Sequence, residues 1–78
     1  MKVIEQIQNL EIFAQRLTNN PKSLHRRERQ KSFLFLCDWW SRIYIDLFDK
    51  RGGKIDFNND PLYLKLEKIR DSFHKLMR

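Results

Sequence analysis

The segment between Pro21 and Gly52 constrains the fold more than any other, because about 30 consecutive residues contain neither proline nor glycine. Nothing in this segment breaks a helix. Its large apolar residues recur at three- and four-residue steps, which places them on one helix face. That face is formed by Phe33, Leu36, Cys37, Trp40, Ile43, Tyr44, Leu47 and Phe48. The pattern predicts a central helix of roughly 25–29 residues, about 40 Å long.

Local signals suggest where this central helix begins and ends. It is expected to begin at Pro21 with Asn20 as its cap, or slightly later with Ser23 as its cap. It is expected to end near Asp49, just before Gly52-Gly53. Lys54 to Phe57 then alternates polar and apolar residues, which predicts a short extended stretch.

Two amphipathic segments flank the central helix. The first runs from about Val3 to Leu17, and its apolar stripe includes Phe13 or Ala14. The last is capped by Asp60 and opened by Pro61. Its stripe consists of Leu62, Leu66, Ile69, Phe73 and Leu76. We therefore predict an all-α fold, a small three-helix bundle with a long central helix, in which residues 1–78 form a single helical domain.

The composition narrows the class of protein. Two glycines and two prolines are too few for an all-β fold with many tight turns. The single cysteine, Cys37, cannot form an internal disulfide and lies among apolar residues, which favours a reducing compartment and a buried thiol. The segment from Met1 to Phe13 has no signal-peptide pattern, and the longest apolar run is far shorter than a membrane span. We predict a cytoplasmic protein without a membrane partner.

The net charge of +6 is concentrated in two segments. Residues 61–78 carry five basic and two acidic side chains, and residues 21–31 carry five basic side chains and Glu28. Cations at a helix N-terminus oppose the helix dipole by roughly 0.3–1 kcal/mol each, and an anionic partner offers a reason for them. We predict phosphate contacts by Lys22, His25, Arg26, Arg27, Arg29 and Lys31. A solvated basic surface and an acidic protein partner remain alternatives.

The adjacent pair Trp39-Trp40 indicates a second surface. Neighbouring helix positions point about 100° apart, so both indoles cannot face one core. We expect Trp40 to fill the bundle, while Phe35 and Trp39 form an exposed face that binds a protein partner or a second copy of the chain. Burial of both tryptophans in a tight bundle is the alternative.

The sequence contains no set of residues that predicts catalysis. His25 and His74 have no metal-ligand spacing, and Cys37 has no evident base. Arg42 lies four residues from both Asp38 and Asp46, which is typical of a surface ion-pair ladder. We therefore predict a protein that is not an enzyme, with no catalytic residues, no metal ligands and no cofactor.

Residues 49–57 lie between two predicted helices and loosely resemble an EF-hand calcium loop. The resemblance implies Asp49 as the first ligand, with Arg51 at the third position and Gly53 at the fifth. Arginine supplies no oxygen ligand, and the last position falls on Asn59 or Asp60 instead of glutamate. We interpret the segment as a turn between helices.

These observations predict a small basic regulatory protein that binds nucleic-acid phosphates through the basic start of its central helix, as a homodimer. The alternative is a protein-protein adaptor or inhibitor that acts through the aromatic face of the same helix.

Overall fold

A computed structural model describes residues 2–19 and 24–77 of the chain. It contains three α-helices, α1 (Val3–Thr18), α2 (Arg26–Lys50) and α3 (Pro61–Ser72), and a 3₁₀ helix (Phe73–Met77) that directly follows α3. These described residues include no β-strand. The long helix α2 runs antiparallel to α1 and α3, in a bundle of 41 × 23 × 16 Å. The predicted all-α three-helix bundle with a long central helix is confirmed.

The core lies between the three helices and is closed by the 3₁₀ helix. The predicted stripes supply most of it, although Phe48 is exposed and Tyr63 is more deeply buried than its neighbour Leu62. The buried apolar residues are Val3, Ile7, Leu10, Ala14, Leu36, Trp40, Ile43, Leu47, Tyr63, Leu66, Ile69, Phe73 and Leu76.

Helix α1 begins at Val3 as predicted and ends one residue later than predicted, at Thr18. Of the two residues offered by the sequence, Ala14 faces the core at 1% exposure and Phe13 lies at the edge of the bundle at 38%. A small side chain at the inner position lets neighbouring helices approach closely. The buried Thr18 hydroxyl donates to the Ala14 carbonyl at 2.8 Å, so its polar atom is satisfied within the last turn.

Trp40 fills the centre of the bundle, as the sequence predicts. Its indole N–H donates to the backbone carbonyl of Leu66 on α3 at 2.7 Å. Tyr44 stacks on the indole at 5.5 Å with an interplanar angle of 9°, and the Arg70 guanidinium lies 4.8 Å from the ring centroid. One side chain thus joins α2 to α3 by a hydrogen bond and a cation–π contact.

Helix α2 ends in a Schellman motif. The Gly53 N–H donates to the Phe48 carbonyl at 2.9 Å, and the Gly52 N–H donates to the Asp49 carbonyl at 3.1 Å. Gly52 and Gly53 have φ angles of +70° and +83°, which only glycine adopts at little cost. The predicted glycine stop is therefore confirmed.

Asp60 starts α3 and also ties it to the end of α2. Its carboxylate accepts the N–H groups of Leu62 and Tyr63, which is the predicted N-cap. Arg51 donates to the same carboxylate through Nε at 2.9 Å and through an Nη at 3.2 Å. The hydrogen bonds from Arg51 lower the pKa of Asp60 below its usual value, and the Asp60 carboxylate raises the pKa of Arg51.

The predicted start of the central helix is wrong. Helix α2 begins at Arg26, after both Pro21 and Ser23, and His25 occupies its N-cap without a side-chain cap bond. The predicted extended stretch lies in the loop after α2, where residues 54–56 belong to no helix or turn; the turn follows at residues 57–59, and the Asp56 carboxylate accepts the N–H groups of Asn58 and Asn59. The predicted cap Asn20 and the predicted site residue Lys22 lie outside the described residues.

Candidate binding surfaces

The fold brings a net positive charge to one end of the bundle. We call this region the basic end and define it as residues 16–19, 24–31 and 73–77, which are the end of α1, the start of α2 and the 3₁₀ helix. It carries six basic side chains and one acidic side chain, whereas residues 2–15 and 32–72 carry eight basic and nine acidic ones. The two basic segments of the sequence therefore lie together, because α2 and α3 are antiparallel.

A recess of about 420 Å³ joins the two segments directly. Arg26, Arg29 and Gln30 of α2 line one side, and Leu76 and Met77 of the 3₁₀ helix line the other. Next to it, the His74 ring lies 6.2 Å from the Phe33 ring. Cationic groups line a concave polar surface here, and such a surface can hold an anionic oxygen better than a flat one.

A second recess of about 310 Å³ lies between the ends of α1 and α3. Its lining includes Thr18 and Asn19 of α1 and Lys68 and Lys75 from the C-terminal part of the chain. The recess shows that α1 reaches the basic end, where it contributes Arg16.

The described cations predicted to bind phosphate surround the start of α2. His25, Arg26, Arg27 and Lys31 are exposed, and Arg29 is half-buried. Arg26, Arg27 and Lys31 make no ion pair within residues 2–19 and 24–77. Arg42, Arg51 and Lys65 do form ion pairs. Arg26, Arg27 and Lys31 thus remain available to an external anion.

The predicted aromatic face gains a third ring from α1. Phe13 lies 5.9 Å from Phe35 and 5.6 Å from Trp39, and the Phe35 and Trp39 rings are 6.0 Å apart. We call these three residues the aromatic cluster. Phe35 is 55% exposed and Trp39 is half-buried. The rings are tilted by 58–62° to one another, so none is stacked face to face on another.

Cations of the basic end lie beside this cluster. Arg27, Lys31, Phe35 and Trp39 are spaced four residues apart on α2, and such residues form one ridge along a helix. Neighbours on the ridge have Cβ atoms about 6 Å apart. On α1, Arg16 lies one turn beyond Phe13 toward the same end. Both helices therefore place a cation one turn from the aromatic cluster.

The remaining candidate groups are held in structural contacts. Asp38 pairs with Arg42 at 3.2 Å in the predicted surface ladder. Burial raises the pKa of the Cys37 thiol, although the charge of Arg70 partly opposes this effect. In the loop after α2, the carboxylates of Asp56 and Asp60 accept hydrogen bonds from the loop itself and from Arg51. Within the described residues, no three His, Cys, Asp or Glu side chains lie close enough to hold a metal ion.

Comparison of the chain with protein-family models, with curated proteins and with solved structures finds no match. Among the described residues, no helix is both long and apolar enough to cross a membrane.

Sequence reasoning missed the contributions of α1 and of the C-terminal segment to these surfaces. The sequence left open whether Phe13 or Ala14 faces the core, and the basic C-terminal residues were not assigned to the phosphate site. The short loop between α2 and α3 contained the second signal, because short connections join antiparallel helices, and this places the 3₁₀ helix beside the start of α2.

Proposed function

We propose that the chain binds nucleic acid through its phosphates, with the basic end as the contact surface. The observation that carries this proposal is the convergence of two basic segments, distant in sequence, on one end of the bundle. A folded protein lowers its own electrostatic energy by dispersing such charges or pairing them with acids. Here the acids are concentrated on the rest of the molecule instead.

The shape of the basic end supports a polyanion over a single small anion. Exposed cations surround the recess on three helix ends, which spreads them over a surface as wide as the bundle. A chain of phosphates is a ligand that can contact many of them at once. Each contact then releases counterions from the nucleic acid, which makes the affinity strongly salt-dependent.

The proposal is tested by measuring the affinity for a fluorescein-labelled DNA over a range of salt concentrations. The variant carries Arg27→Gln and Lys31→Gln, which neutralise two exposed cations at the basic end. If both contact phosphates, the slope of log K against log salt becomes shallower by about two units. Circular dichroism verifies that the variant is folded.

The matched control carries Lys50→Gln and Lys54→Gln, two exposed cations at the opposite end of the bundle. This control removes the same net charge and is expected to leave most of the slope intact. Equal losses in the two variants would mean that net charge, not the basic end, determines binding. Affinity that does not change with salt would refute phosphate contact altogether.

A further inference from the structure

The aromatic cluster and the cations beside it form one continuous surface. On α2 the ridge leads from Arg27 and Lys31 to Phe35 and Trp39 without interruption. From α1, Phe13 joins the rings and Arg16 adds a cation on the same side. The surface thus places groups that attract phosphate directly beside rings that attract flat apolar partners.

Resting on the proposed function, we infer that the ligand is a single-stranded nucleic acid whose unpaired bases stack on the aromatic cluster while its phosphates contact Arg16, Arg27 and Lys31. Bases in a duplex are already stacked on one another, so they offer no face to a protein ring. Unpaired bases leave their faces open to a protein ring. Base–aromatic stacking beside a basic groove is the common mode of single-strand recognition.

The ring geometry suits this role. Trp40, in the core, has Tyr44 stacked nearly parallel to it, so part of its indole face is occupied. The rings of the cluster meet at about 60° instead, and Phe35 leaves more than half of its surface in solvent. Tilted contacts of this kind stabilise the rings through their edges and leave ring face accessible to a planar ligand.

The dimensions also match a short strand. From Arg27 to Trp39 the ridge rises through 12 residues of helix, a distance of about 18 Å. That length corresponds to roughly five nucleotides at the ~3.4 Å spacing of stacked bases. The two cations are at one end of this path and the rings are at the other, so backbone and base contacts are made by successive nucleotides.

Charge favours nucleic acid over a protein partner for the same surface. The solvent side of the cluster is bordered by Lys31, by the exposed Leu34 and by the Asp38–Arg42 pair, which lie on the outer face of α2. Protein interfaces have cores depleted of charge and about 800 Å² of contact on each side. Three partly exposed rings in a largely charged border are small for such a core but suffice for one or two bases.

The test uses Phe35→Leu, which keeps an apolar side chain but removes the ring face. Phe57→Leu is the matched control, because Phe57 is similarly exposed at 52% and lies in the loop before α3. Affinity is measured for labelled oligo(dT), for oligo(U) and for a DNA duplex of equal length. We expect Phe35→Leu to weaken both single strands about 5- to 100-fold and to leave the duplex unchanged. Comparison of the two single strands distinguishes DNA from RNA as the preferred source of the bases.

Fluorescence gives an independent measurement. Stacking on the cluster should quench Trp39 when a single strand binds, whereas the buried Trp40 should not respond. In Trp39→Phe the quench is expected to disappear, because the tryptophan that remains is the buried Trp40.

Each failure has a separate signature. If Phe35→Leu binds every oligonucleotide as tightly as the unchanged chain does, base stacking on the cluster is refuted, but phosphate binding by the basic end is not. If the unchanged chain binds none of the three, the proposed function itself fails. If Phe35→Leu instead halves the solution mass without changing affinity, the cluster is an interface between copies of the chain, and the inference is wrong.

Discussion

The adjacent tryptophans provide a sharp test of the packing, because they are chemically identical and lie in different environments. Trp40 is 9% exposed, donates a hydrogen bond to Leu66 and contacts Arg70, whereas Trp39 is half-buried at the edge of the bundle. We predict that Trp40→Phe destabilises the fold strongly and that Trp39→Phe hardly does. The two variants serve as controls for each other.

The magnitude follows from what Trp40→Phe removes. The lost hydrogen bond contributes about 1 kcal/mol. The three missing ring atoms cost about 1–2 kcal/mol in burial and cavity terms, and the weaker cation–π contact costs roughly 0.5 kcal/mol. The sum is about 3 kcal/mol, against a total stability of roughly 4–12 kcal/mol for a chain of this length. Trp39→Phe removes no hydrogen bond and less buried area, and we expect it to cost below about 1 kcal/mol.

Thermal unfolding followed by circular dichroism measures the difference. A loss of 3 kcal/mol lowers Tm by about 12–24 °C in a domain of this size. Emission spectra of the two variants provide a second readout, because the tryptophan that remains in Trp40→Phe is the more exposed one and should emit at longer wavelength. Equal losses of Tm, or a larger loss for Trp39→Phe, would show that the inner and outer positions are assigned the wrong way round.

Two further predictions concern the loop end of the bundle. The pKa of Asp60 is lower in the folded state than in the unfolded state, where it is about 3.9. The charge of Asp60 therefore stabilises the fold fully above the unfolded pKa. This contribution is lost as the pH falls through the lower pKa of the folded state. Asp60→Asn keeps a capping oxygen but not the charge, so its Tm should fall less than that of the unchanged chain between pH 5 and pH 2. An equal fall of Tm in both proteins would contradict the stabilising role of the Arg51–Asp60 ion pair. Gly52→Ala should lower stability by about 1 kcal/mol through its left-handed backbone alone, since an added Cβ meets no atom within 4 Å. Gly52→Asn should cost less because asparagine tolerates that conformation, and urea titrations that rank the two variants in the opposite order would refute the backbone explanation.

The fold could be predicted from the sequence wherever local chemistry and helical periodicity agree. The cap and proline at Asp60-Pro61, the glycine stop after α2 and the position of Trp40 all follow from short-range rules. The start of α2 could not be predicted from such rules, because Asn20-Pro21 and Ser23 both carry the local signals of a helix start. The helix begins at Arg26, and the preceding His25 makes no side-chain cap bond, so no local signal marks this start.

For a similar reason, only some residues of the candidate surfaces could be predicted from the sequence. The cations of α2 and the Phe35/Trp39 pair lie within a few turns of each other, so periodicity brings them together. Phe13 and Ala14 are neighbours in the sequence and both are apolar, so the pattern alone does not say which one faces inward. The close approach of helices around Ala14 decides it, and this turns Phe13 toward the other rings.

The burial of the last turn has a consequence for synthesis of the protein. Phe73 is fully buried and Leu76 is 1% exposed, so the bundle cannot close until both have left the ribosome. Until then, the part of the core that the 3₁₀ helix covers stays open, and nascent chains with exposed apolar surface attract chaperones or one another. Once both residues have emerged, a helical bundle can fold within microseconds to milliseconds, which keeps the exposed state brief.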